Sequence, residues 1–258
     1  MAVIKRRKPE SRAKQDEVLG TQIEELKKEH PFWGYRRIWA WLNFRGNQKV
    51  NEKRVYRVMR EKRLLCHRKI RKQLADRTPR SKPQADRPNQ YWGTDMTKIH
   101  VEGYGWAYIV VVLDWFTKKV VGIDVATRSR SSDWLSALDQ AINAQFPEGV
   151  KGFDLKLISD NGCQPTSQAF NNYCYQTGVE QIFTSYNNPK GNADTERFMR
   201  TMKEELLWLR SWTSPEDLKY ELTKWTENYN KDYLHSSLGY QSPLDVEKTY
   251  KSENAYAA

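Results

Sequence analysis

The stretch Tyr91-Trp92-Gly93-Thr94-Asp95-Met96-Thr97-Lys98-Ile99-His100-Val101 decides how this 258-residue chain is read. It has the composition of a strand, and Val101-Glu102-Gly103-Tyr104-Gly105 after it is a tight hairpin signal. Trp106–Phe116 then predicts a second strand around the apolar run Ile109–Leu113. Lys119–Ala126 predicts a third, rich in β-branched Val120, Val121, Ile123 and Val125. Ser131–Phe146 changes period: Trp134, Leu135, Leu138 and Ile142 recur at helical spacing. Further on come a short buried strand (Lys156–Ser159), a helix (Ser167–Thr177) and another strand (Glu180–Thr184). An Asn-, Pro- and Gly-rich loop, Tyr186–Ala193, leads into a long helix over about Asp194–Leu209.

The order is therefore βββαβαβα, a meander followed by α/β crossovers. This is an α/β fold of ribonuclease-H-like type: a mixed five-stranded sheet with flanking helices, whose strand ends meet along one edge. Three carboxylates fall at telling places in it. Asp95 is in the first strand, Asp160 ends the fourth, and Glu196 is in the first turn of the last helix. A single Asp at a strand end is ordinarily a turn or cap residue, the role expected for Asp114, Asp124 and Asp154. Three together are different, because gathered carboxylates repel by about 4 kcal/mol per pair at ~4 Å and an effective dielectric near 20. Divalent cations reverse that sign. Two Mg²⁺ (or Mn²⁺) ions held by Asp95, Asp160 and Glu196 could activate an attacking hydroxyl and stabilise the leaving oxygen of a phosphodiester.

Charge divides the chain at the same point. Overall it carries +11, but residues 1–89 hold 26 Lys/Arg against 10 Asp/Glu, while the remainder is net acidic by 5. A basic front suits a polyanion. Within it, Glu17–His30 reads as a polar helix, and Tyr35–Phe44 as a second that buries Ile38, Trp39 and Leu42. After the turn Arg45-Gly46-Asn47, Asn51 can cap a third helix, to about Leu64, with Val55, Val58 and Met59 inward. Lys53, Arg54, Arg57 and Arg60 are then expected to face solvent, the first three as DNA contacts. This is a helix-turn-helix plan, in which the second helix of the motif enters a major groove. Residues 67–90 carry eight Lys/Arg and three prolines, a linker composition.

The expected organisation is thus a helical DNA-binding region over 1–66, a linker over 67–90, a catalytic core over 91–210 and a helical extension over 211–258. Thirty-two aromatic residues argue against disorder despite a mean hydropathy of −0.87. No apolar run reaches the ~18 residues of a membrane span, and the charged start does not read as a signal peptide. Three cysteines without a CxxC pair predict a reducing compartment and no structural zinc site.

Asp95, Asp160 and Glu196, with 35 residues between the last two, resemble the DDE triad of retroviral integrases and related transposases. Lys203, seven residues after Glu196, matches the basic residue of the insertion-sequence branch. Seven residues are 700° of α-helix, so Lys203 shares the Glu196 face about 10 Å along. More closely, the chain resembles the second-frame product of bacterial insertion sequences whose two frames are joined by ribosomal frameshifting. The stretches that carry this are His30–Ile38, Asn89–Thr97, Lys190–Asp194 and His235–Pro243. Cys163, Pro165 and Tyr186–Pro189 depart from the pattern beside the site rather than in the triad.

The resemblance implies metal-dependent DNA cleavage and strand transfer at element ends, with no covalent protein–DNA intermediate. Its implied partners are double-stranded terminal-repeat and target DNA, the upstream-frame product, and further copies of the chain on DNA; no membrane is involved. Lys190, Arg197 and Arg200 are candidate phosphate contacts beside the site, and His235 a candidate neighbour of it. Trp208, Trp212, Trp225, Tyr229 and Tyr233 are expected to pack rather than stack on bases. Two alternatives stay open: a non-catalytic DNA-binding regulator, and a nuclease of this fold without strand transfer.

Overall fold

The computed structural model describes residues 10–66, 83–184 and 191–255. The chain forms two compact units, Met1–Ala75 and Asp76–Ala258.

The first unit is three helices: α1 (Glu10–Glu29), α2 (Tyr35–Phe44) and α3 (Glu52–Glu61). The side chain of Asn51 accepts the Lys53 N–H at 2.8 Å and starts α3 as a cap. Leu19, Ile23, Trp33, Ile38, Leu42, Val55, Val58 and Met59 make one buried cluster, with Trp39 only partly covered. The basic face of α3 differs from expectation. Arg54 Nε and Arg57 donate to the two carboxylate oxygens of Asp16 at 2.8 and 2.9 Å, and Asp16 itself is buried. These arginines therefore turn toward α1 and are half-buried, whereas Lys53 and Arg60 stay exposed. The reason is a carboxylate on a neighbouring helix, which the periodicity of α3 alone does not reveal.

In the second unit β1 (Tyr91–Val101), β2 (Gly105–Asp114) and β3 (Val120–Ala126) form the antiparallel meander. β4 (Lys156–Ser159) runs parallel to β1, and β5 (Glu180–Phe183) parallel to β4, giving the order β3-β2-β1-β4-β5. The sheet buries both faces. One carries Trp92, Val110, Val112 and Leu157 against α4 (Ser131–Gln145) and α5 (Gln168–Thr177). The other carries Val101, Ile109, Val111 and Ile158 against α6 (Ala193–Met202) and α7 (Pro215–Asp232). Trp92 is fully buried, and cutting it to Ala would cost about 3–5 kcal/mol.

The residues after 210 do not stand apart from this core. Trp212, Leu218, Leu222, Tyr229 and Tyr233 belong to the second buried cluster, with Trp225 packed on it. α8 (Pro243–Ala255) is tied back by buried Glu247, which accepts from Lys119 at 2.6 Å and Lys251 at 2.9 Å. Trp208 is the exception among the aromatics expected to pack, being 58% exposed. No helix among the described residues is long and apolar enough to cross a membrane.

Candidate active site

Strand pairing brings the first two carboxylates into step. β1 and β4 pair as far as Gly93 with Ile158, so Asp95 and Asp160 each follow their strand's last paired residue by two positions. β1 continues to Val101, but β4 ends at Ser159, and the sheet opens beside Asp95. α6 starts at Ala193 and carries Glu196, itself exposed, in its first turn.

Asp160, Glu196 and Lys203 all lie within electrostatic reach of Asp95. Asp95 is half-buried, and its pKa is raised from 3.8 to about 6. Burial is the main cause; the charges of Asp160 and Glu196 add to it, while the Met96 N–H and the Lys203 ammonium oppose it. Asp95 Oδ1 accepts the Met96 N–H at 2.8 Å, and Asp160 Oδ1 accepts the Gly162 N–H at 3.0 Å. Each aspartate thus spends one oxygen on its own backbone. Asn161 and Gln164 hold the Asp160 loop, donating to the Thr184 carbonyl at 2.7 Å and the Ser129 hydroxyl at 2.8 Å. Oxygen donors of this kind suit a hard divalent cation. Among the described residues no group of three or more His, Cys, Asp or Glu side chains is gathered tightly enough to hold an ion. The carboxylates share a field rather than a finished coordination sphere.

Lys203 stands on the side expected, but not in the helix expected. α6 gives way to a π-helical turn over Lys203–Leu207, after which the Leu207 carbonyl accepts the Trp212 indole N–H at 3.1 Å. Arg197 and Arg200 are exposed on α6, and Arg200 pairs with Glu204 at 2.7 Å, a surface contact of small energy. His235 packs against the Tyr229 and Tyr233 rings, with centroids 5.5 and 4.8 Å away. Lys190 and the loop residues Tyr186–Pro189 lie outside the described residues.

Sequence reasoning missed the residues that join α6 to β1. Asn192 Nδ2 donates to the Thr94 carbonyl at 3.0 Å, and the Trp115 indole N–H donates to Thr195 Oγ1 at 3.2 Å. All four residues are buried. Gly93 and Asn192 were visible only as parts of matching motifs; what each touches depends on tertiary structure.

A family model described as HTH-like domain matches residues 14–77, and two described as integrase core domain match residues 85–189 and 177–243. The chain is 28% identical over 240 residues to an uncharacterized 31.7 kDa protein of insertion element IS407 from Burkholderia multivorans. That match spans 92% of this chain and 83% of the relative. It is 26% identical to the transposase InsD of insertion element IS2 from Escherichia coli, over 91% of this chain and 80% of that one. In fold it is similar to a simian T-cell lymphotropic virus intasome structure, at 18% identity and a TM-score of 0.51, covering 86% of this chain and 73% of that one.

Proposed function

We propose that this chain, an integrase-core protein with an HTH-like domain and a relative of insertion-element transposases, cuts DNA at the ends of its element and joins them to target DNA. Asp95, Asp160 and Glu196 would hold two divalent cations, Mg²⁺ or Mn²⁺. Bound there, the cations supply Lewis acidity to the scissile phosphodiester and to the hydroxyl that attacks it.

The remaining work falls to the chain's own groups. β1 holds Asp95 rigidly, half-removed from water, so its charge acts in a poor dielectric. Lys203 offers a positive charge on the same side, able to hold a backbone phosphate of the DNA beside the cut. The three-helix unit supplies basic surface for duplex DNA, with Lys53 and Arg60 outward. Further copies of the chain and the upstream-frame product would complete the assembly on DNA, in the bacterial nucleoid.

One observation carries this assignment: Asp160, Glu196 and Lys203, distant in sequence, all act on the charge of Asp95. The test uses labelled element-end duplex, target DNA and Mg²⁺, with and without the upstream product. Joined strands are expected from wild type. Asp95→Asn, Asp160→Asn and Glu196→Gln should each cut at less than about a hundredth of the wild-type rate, beyond the low end of the ~10²–10⁴ that acid–base contributions reach. Cleavage above that level in all three would reject the triad, and cleavage without joining would make the protein a nuclease.

A further inference from the structure

We propose that Gly93, Asn192 and Thr195 form a buried latch whose role is to set the spacing between Asp95 and Glu196. They are positioning residues for the cation site, and the assignment rests on the function proposed above. Three observations converge on them.

The first is where the joint sits. Thr94, which accepts from Asn192, immediately precedes Asp95, and Thr195, which accepts from Trp115, immediately precedes Glu196. Both bonds therefore act within one residue of a carboxylate. A change in either moves the backbone that carries it.

The second is how closely the elements approach. A Cβ placed on Gly93 would lie 2.0 Å from Thr195 Oγ1, 2.4 Å from Trp115 Nε1 and 2.7 Å from Asn192 Oδ1. No side chain fits there, so glycine is what lets α6 press on β1.

The third is a cost that packing does not explain. Asn192 occupies the cap position of α6, yet its side chain makes no cap bond to the helix. It reaches across to the strand instead. Its Oδ1 is buried and has no hydrogen-bond partner among the described residues. An unpaired buried acceptor costs about 1–3 kcal/mol, which an apolar side chain of that size would avoid. Stability is thus given up at a contact between the helix bearing Glu196 and the strand bearing Asp95.

The test measures Mn²⁺ binding to the full chain by calorimetry, alongside melting in EDTA. Thr195→Val keeps the shape but removes the Oγ1 that accepts from the Trp115 indole; Thr195→Ser restores an Oγ; Asn192→Ala removes the bond to Thr94. Trp212→Phe breaks a buried indole bond beyond the π turn and serves as a control for general destabilisation. Thr195→Val and Asn192→Ala should weaken Mn²⁺ binding roughly 10- to 100-fold, the range for loss of supporting contacts behind metal ligands. Thr195→Ser and Trp212→Phe should stay within about threefold of wild type. If Thr195→Val does not fold, Asn192→Ala against Trp212→Phe decides the matter alone. Mn²⁺ affinity unchanged in folded Asn192→Ala would overturn the latch while leaving the functional proposal standing. Absence of wild-type binding, or binding indifferent to Asp160→Asn, would overturn both.

Discussion

Asp95→Asn should make the metal-free protein more stable while abolishing its chemistry. In the folded chain Asp95 has a pKa of about 6 against an ordinary 3.8. A carboxyl raised in this way favours the fold fully below about pH 4 and loses that contribution as pH rises through 6. Above pH 6 the protein therefore holds a charge that its surroundings resist. A shift of about two units corresponds to at most ~3 kcal/mol, and partial exposure reduces it to about 1–2 kcal/mol. For a unit of this size that is roughly 3–6 °C in Tm. Asparagine keeps the acceptor for the Met96 N–H, so little else changes. Asp114, also raised to about 6, gives both proteins the same underlying slope, so only the difference between them is diagnostic. The assay is thermal melting in EDTA from pH 4 to 8. The Asn variant should lead at pH 8, and its lead should shrink to nothing near pH 4. Adding Mn²⁺ should stabilise wild type alone and narrow or reverse the order. A variant no more stable than wild type at pH 8, or one whose lead persists undiminished at pH 4, would refute the account of Asp95 as a charge held against its surroundings.

Other expectations concern the neighbouring charges. Asp16→Asn should destabilise the three-helix unit by about 3 kcal/mol, because it strands two half-buried guanidiniums; hydrogen exchange in α1 and α3 would report it. Lys53→Ala should leave that fold intact and instead reduce the salt dependence of duplex binding, by about 0.9 in log–log slope if it meets one phosphate. Lys203→Ala should slow cleavage and joining at element ends while Lys203→Arg retains much of both. Since Lys203 lowers the Asp95 pKa, its removal should also move the acid limb of the pH–rate profile to higher pH, and an unmoved limb would separate the two groups.

Much of the molecule is legible in its residues, for identifiable reasons. β1, β4 and α2 begin and end where their patterns predict; β1 closes at the Gly103–Gly105 turn and α2 at Arg45-Gly46-Asn47. The three candidate carboxylates stood out in the residues because each falls at a marked place in the element order: Asp95 within β1, Asp160 just past β4 and Glu196 in the first turn of α6. Contacts between elements were not. The inward turn of Arg54 and Arg57 depends on Asp16, some forty residues earlier. The helices after residue 210 are amphipathic, but an apolar stripe does not say which surface it covers, and here it completes the core. The seven-residue step from Glu196 to Lys203 assumed unbroken α-helix; it holds because the π turn begins only at Lys203.

That turn makes length itself a constraint. Up to Met202 the helix must keep Glu196 and Lys203 on the side facing Asp95. Past it, the same chain must deliver buried Leu207 and Trp212 to the core. A π turn holds one residue more than an α turn, so the two demands can be met out of phase. Deleting any one residue from Lys203–Leu207 would then do more damage than replacing it: the helix could remain continuous, yet either the lysine or the core would be rotated about 100° from its place. Grafts that exchange the carboxy-terminal helices between relatives should accordingly be joined after Leu207, where the two phases have already been reconciled.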